Sequence, residues 1–190
     1  NSIDASALAA LTATLTLKQG GAIAFPALNQ VGNVRLAATS TITSVDFTSV
    51  TTGGVITTSD NTLSDPAISG DVNLGKLDLP PTVALDAATS ISAGGAPNGV
   101  VISATKATAI NLVDTTPFAV TGSISITAKG AVTLNVKSIT STLTITSTEG
   151  SIALNDLTSA GATTLSASDT IHAAITSNAS GTVASGSEVH

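Results

Sequence analysis

The sequence predicts an all-β chain wound as a parallel β-solenoid (β-helix) with coils of ~19 residues. Three observations carry this expectation. Apolar residues recur at every second position in short runs, the period that places one set of side chains inside a strand and the other outside. The runs themselves recur: Ile124 and Ile126 precede Leu143 and Ile145 by 19 residues, and Val132 and Leu134 precede Ile152 and Leu154 by 20. The interior must be built from Val, Ile, Leu and Ala, because the 190 residues include three Phe and no Trp, Tyr, Met or Cys. Such side chains stack well coil over coil. A unit this short cannot hold a helical repeat of about 33 residues or more, and it suits one turn of a solenoid. Eight or nine coils spaced about 4.8 Å apart would form a rod about 40 Å long. The competing architecture is a β-sandwich or jelly roll, which also has short strands with frequent turns, but a sandwich has no reason to repeat at 19.

The elements follow in order. "DASALAALTATL" (Asp4–Leu15) admits two readings: a helical turn capped by Asp4, with residues 1–12 covering the first coil, or a plain first strand. Leu15 and Leu17 precede Val34 and Leu36 by 19, and Ile23 precedes Ile42 by the same step. The stretch from about Val50 to Pro81 is looser. The step returns between Ile91 and Ile110, and "VRLAATSTI" (Val34–Ile42) resembles "VALDAATSI" (Val83–Ile91). "VDTTPFAVTG" (Val113–Gly122) reads as an enlarged turn. From Gly122 the units are regular, and Leu165, Ala167, Ile171 and Ala173 take matching places in the last of them. The whole chain, 1–190, reads as a single solenoid domain, and its start at Asn1 reads as a processed or excised chain.

Composition excludes several functions. The net charge is −6, and the six basic residues, Lys18, Arg35, Lys76, Lys106, Lys129 and Lys137, stand singly. Nucleic acid and anionic membrane surfaces both require clustered cations. No apolar run approaches the ~20 residues of a membrane span. Without cysteine there are no disulfides, zinc–thiolate sites or thiol catalysis.

Catalytic constellations are not found. His172 has Asp169 three residues before it, an offset that faces opposite sides of a strand, and His190 stands at the end of the chain. No G-x-S-x-G elbow accompanies the many serines. A lyase for acidic polysaccharides would need a proton acceptor beside clustered cations, and Arg35 is the only arginine. Asp60 and Asp65 in "SDNTLSDPA" form the nearest acid pair, read as a decorated turn, with weak calcium binding as the functional alternative. "GKL" (Gly75–Leu77) lacks the glycine spacing of a phosphate loop, and "NAS" (Asn178–Ser180) is a bare glycosylation triplet. Phe25, Phe47 and Phe118 read as core or turn plugs. The expectation is a noncatalytic protein with no cofactor and no metal.

One surface pattern stands out. Ser123, Ser125 and Thr127 alternate with inward residues, followed a coil later by Thr142, Thr144 and Thr146 and then by Thr164 and Ser166. Stacked, they form a flat hydroxyl grid, with simple solvation, a neighbouring subunit, a glycan or ice as its possible uses. Arg35 is expected to interrupt the grid in the first coils. At the other end, "ASGTVASGSEVH" (Ala179–His190) carries only Glu188 as charge, so nothing blocks a second β-edge from docking. A homo-oligomer or polymer joined through β-edges follows as an expectation.

The units "GSISITAKGAVTLNV" and "STLTITSTEGSIALNDL" resemble the repeats of filamentous-haemagglutinin-like proteins, the large exported adhesins of bacteria. The resemblance is periodic and compositional and is best over Val83–Ala174. It implies a right-handed parallel β-helix, an extracellular or cell-surface location, and a scaffolding or adhesive role. "APNGV" (Ala96–Val100) departs at both ends from that family's Asn-Pro-Asn-Gly-Ile secretion loop.

Overall fold

The computed structural model describes residues 8–18, 20–37, 42–59, 61–114, 117–159, 161–177, 181–185 and 188–189. These form strands and no helix. Every strand ladder is parallel. The chain is therefore a β-solenoid of about 8 turns, and the face-to-face antiparallel sandwich is set aside. No helix among the described residues is long and apolar enough to cross a membrane.

Each coil passes through three segments and gives the rod three faces. On the first lie Ala10–Leu11 and Gln30–Val31, and farther along Phe118–Val120 and Val136–Ile139. The second face is split. Leu15–Leu17, Val34–Leu36 and Ile56–Thr57 form one three-stranded sheet. Thr62–Ser64, Thr82–Ala84, Val100–Ala104, Ile124–Ala128, Leu143–Ser147, Thr163–Ala167 and Gly181–Ser185 form a seven-stranded one. The third face runs from Gly21–Ala24 through Ile42–Asp46, Asp71–Asn73, Ser90–Ala93, Ala109–Leu112 and Ala131–Leu134. It continues along the first parts of the long strands Ile152–Ser159 and Thr170–Ser177, whose later residues turn the corner onto the first face.

The interior is a set of aliphatic ladders. Leu63, Val83, Ile102, Ile126, Ile145 and Leu165 stack in register and are all buried. Val72, Ile91, Ile110, Val132, Ile152 and Ile171 do the same on the third face. The expected pairings of Leu15 and Leu17 with Val34 and Leu36, and of Ile91 with Ile110, are those observed.

Three expectations change. Ile23 pairs with Val45, not Ile42, because two more residues separate Leu36 from Ile42 than separate their partners Leu17 and Gly21, and a one-residue register shift between Gly21 and Ala22 adds a third. The segment 113–122 is only partly a turn, since Phe118–Val120 is a strand on Val136–Ile139. Asp4 lies outside the described residues, and the first described strand is Ala10–Leu11. Of the aromatic residues, Phe25 and Phe47 are buried and stacked, their ring centroids 5.2 Å apart and 8° from parallel, while Phe118 is half-buried against the core.

The split in the second face has a local cause. Val55 bridges Asp78, so the next residues to extend that ladder beside Ile56–Thr57 would be Leu79 and Pro80. Proline has no N–H to donate, and Pro80–Pro81 ends the sheet. The chain instead folds back in a tight turn, Ser59 bridging Thr62 in the antiparallel sense, with Asn61 in the left-handed region at φ 54°. The seven-stranded ladder then starts at Thr62, offset from the first three strands.

Candidate functional site

The outward side chains of the seven-stranded sheet form two columns. One runs Thr62, Thr82, Val101, Ser125, Thr144, Thr164, continuing in register to Thr182. The other runs Ser64, Ala84, Ser103, Thr127, Thr146, Ser166, continuing in register to Ala184. Strand alternation sets this arrangement: each outward residue sits between buried neighbours such as Ile124, Ile126, Leu143 and Ile145. Rows repeat about every 4.8 Å along the rod, and the columns stand about 7 Å apart across it. No member carries a charge, and Val101, 54% exposed, is the only large apolar one.

The structure thus puts Ser125, Thr127, Thr144, Thr146, Thr164 and Ser166 on one face. Thr142 is displaced to the corner before its strand, where it is exposed. Its backbone N–H and its hydroxyl both bond Ser123 Oγ, at 3.3 and 2.9 Å. Sequence reasoning missed Thr62, Ser64, Thr82 and Ser103, which extend the columns toward the N-terminus. The polar–apolar–polar signals were present in "TLS" and "TVA", but the wider coil between Ile102 and Ile126 and the turn at Asn61 hid the step. Arg35 does not interrupt the grid, because it lies in the separate three-stranded sheet, between Thr16 and Thr57.

The margin of the grid carries one organised carboxylate. Asp86 accepts hydrogen bonds from Ser103 Oγ at 2.7 Å and from the Thr105 N–H and hydroxyl, each at 3.2 Å. The Ser103 bond, then the Thr105 backbone bond, hold its carboxyl below the usual range.

Other candidates are dispersed. His172 is exposed on the third face, in register with Ala153, and Asp169 accepts from Ser151 Oγ at 2.8 Å. Asp65 is buried and caps its own turn by accepting the Ala67 N–H at 2.9 Å. Asp60, His190 and Asn178–Ser180 lie outside the described residues. Lys76 is ion-paired with Asp114, and Lys129 with Glu149 at 3.2 Å. Among the described residues no group of three His, Asp or Glu is placed to hold a metal.

Concavities also mark the surface, one of about 330 Å³ beside Asp86, between Ser64, Pro66, Ala84, Thr105 and Lys106. On the first face a cleft of about 390 Å³ is lined by Gly53, Lys76, Asp78, Gly94, Asp114 and Phe118 among others. Burial raises the carboxyl of Asp78 above the usual range. At the offset between the two sheets of the second face lies another cleft, of about 420 Å³.

Scans of protein-family models, of curated proteins and of solved structures returned no match to this chain.

Proposed function

We propose that the chain is a noncatalytic structural rod of the cell surface or extracellular space, of the filamentous-haemagglutinin-like adhesin type, which assembles end to end into a filament, sheath or surface layer or serves as an adhesin stalk. The observation that carries this reading is the parallel coil stack itself. Its end strands, Leu15–Leu17 at one tip and Gly181–Ser185 at the other, pair on one side only among the described residues. A parallel edge offers backbone N–H and C=O groups to the next edge, and a head-to-tail contact that does not close yields a fibre. The low charge of the surface, with 9% charged residues, offers little repulsion to such packing. Electron microscopy of the purified chain is the test. Filaments that grow with protein concentration and without added ligand are the expected result, and single short rods at every concentration would overturn the polymer.

A second reading has its own observation, the uncharged double column of hydroxyls. It supports a surface-binding module for a neutral, hydrogen-bonding partner such as a glycan, ice or a host surface. Thr144→Lys, placed in the middle of one column, would abolish binding on a glycan array or in an ice-recrystallisation assay and leave the fold unchanged.

A further inference from the structure

We propose that the cleft at the offset of the second face is a binding site for a sugar residue bearing a single carboxylate, a hexuronate, with Arg35 as the anchoring group. The cleft exists because Pro80–Pro81 ends the three-stranded sheet while the turn at Asn61 carries the chain sideways. Its walls include Arg35, Asn33, Asn61, Asn98, Thr57 and the Pro80–Pro81 ledge.

Charge selects the ligand class. Among the described residues that line the cleft Arg35 is the only charged one, and it takes part in no ion pair among them. A guanidinium presents a planar fork of donors that matches a carboxylate with two parallel hydrogen bonds. One cation within a chain of net charge −6 favours a single carboxylate over a polyanion, whose remaining charges would be repelled.

The neutral groups select a sugar. Asn33 is fixed: its Oδ1 accepts the Val55 N–H at 3.0 Å, so its N–H₂ end is the part left to donate. Gly54 makes room for that carboxamide, since a Cβ there would collide with Asn33 Oδ1 and lie 2.8 Å from Gly32 O. Asn61 and Asn98 are exposed amides on the same rim. Amides that both donate and accept suit vicinal hydroxyls, and the exposed Pro81, beside the buried Pro80, suits the apolar face of a pyranose ring.

The test is an NMR titration of the isotopically labelled chain with sodium glucuronate, glucose and sodium acetate at constant ionic strength. Glucuronate is expected to give saturable shifts at the backbone amides of Asn33, Arg35 and Asn98. It should bind at least about tenfold more tightly than glucose or acetate. Arg35→Gln should weaken glucuronate by about tenfold or more with the rest of the spectrum unchanged. Asn98→Asp, which sets a competing carboxylate on the rim, should do the same and serves if the first variant fails to fold. No saturation with glucuronate, or equal binding by Arg35→Gln, would overturn the site. Acetate matching glucuronate would overturn the sugar, and glucose matching it would overturn the carboxylate.

Discussion

Residues 8–81 and 82–177 are built from the same unit and solve its stacking problem differently. In the second region the second-face ladder holds register coil after coil: Ile124–Ala128 takes Leu143–Ser147 residue for residue, and that strand takes Thr163–Ala167 in turn, while shifts at Phe118/Ala119 and Leu154/Leu157 stay on the other faces. In the first region the register shifts at Gly21/Ala22, the second face breaks at Pro80–Pro81, and single bridges, Gln30–Thr52 and Val55–Asp78, stand where longer ladders would run. The regular region yields a flat, uncharged, repetitive surface. The second-face cleft opens where that ladder breaks in the irregular region, and the first-face cleft spans both regions, from Gly53 and Asp78 to Asp114 and Phe118. The first region also holds the stacked Phe25–Phe47 pair. The two rings stack in register, in line with the pairs Ile23–Val45 and Ala24–Asp46 that precede them.

The largest expected effect breaks the regular region. Ile145 is fully buried between Ile126 and Leu165. Ile145→Asp would force a carboxylate into that ladder at a cost of several kcal/mol, enough to abolish cooperative thermal unfolding followed by circular dichroism. Thr144→Asp, one residue away and exposed, should melt like the parent. Equal damage from both would mean that the two faces are wrongly assigned.

Next in size is the aromatic pair of the irregular region. Phe47→Ala should lower stability by about 3–5 kcal/mol in urea denaturation, the ordinary consequence of removing a buried ring. If it costs no more than an exposed-site change, the pair does not hold the irregular coils together. A smaller effect of opposite sign is expected in the regular region. Thr163 stacks under Leu143 in an apolar ladder, and its buried hydroxyl has no hydrogen-bond partner. Thr163→Val should therefore stabilise the chain by about 1 kcal/mol. A loss would show that the hydroxyl does have a partner.

The finest comparison uses pH. Asp78, in the irregular region, has its carboxyl raised by burial. Its contribution to stability is fully present below the unfolded-state pKa and is lost as pH rises through the elevated folded value. Asp86, in the regular region, has its carboxyl lowered by the Ser103 and Thr105 bonds. Its contribution is present above the unfolded-state pKa and is lost as pH falls through the lowered folded value. Asp78→Asn should thus stabilise slightly near neutrality, while Asp86→Asn should destabilise slightly there and remove part of the acid sensitivity. Melting temperatures across a pH series would read both, and matching signs for the two variants would contradict the assignments.

Much of this was legible in the sequence wherever the period stayed constant. The ladder Ile124–Leu143 and the outward positions of Ser125, Thr144 and Thr164 follow from alternation and a fixed step alone. Thr142 keeps the outward parity of Thr144 but stands just before the strand, which starts at Leu143, because alternation says nothing about where a strand begins. Ile23 was matched to the wrong partner, because two extra residues before Ile42 and a one-residue register shift after Gly21 lengthen the coil to 22 without altering the apolar alternation on either side.

What the sequence determined by itself is the architecture. A period of two nested within a period of 19 or 20, carried by β-branched and small side chains, can bury its apolar half only by stacking coil on coil. What the tertiary structure decided is which coils align. Prolines that cannot donate, a tight turn with a left-handed Asn61 and three register shifts among the described residues set which strands of successive coils meet, and their effect exists only once the neighbouring coil is in place. That is why the hydroxyl columns begin at Thr62 and why Arg35 stands in a cleft instead of among them.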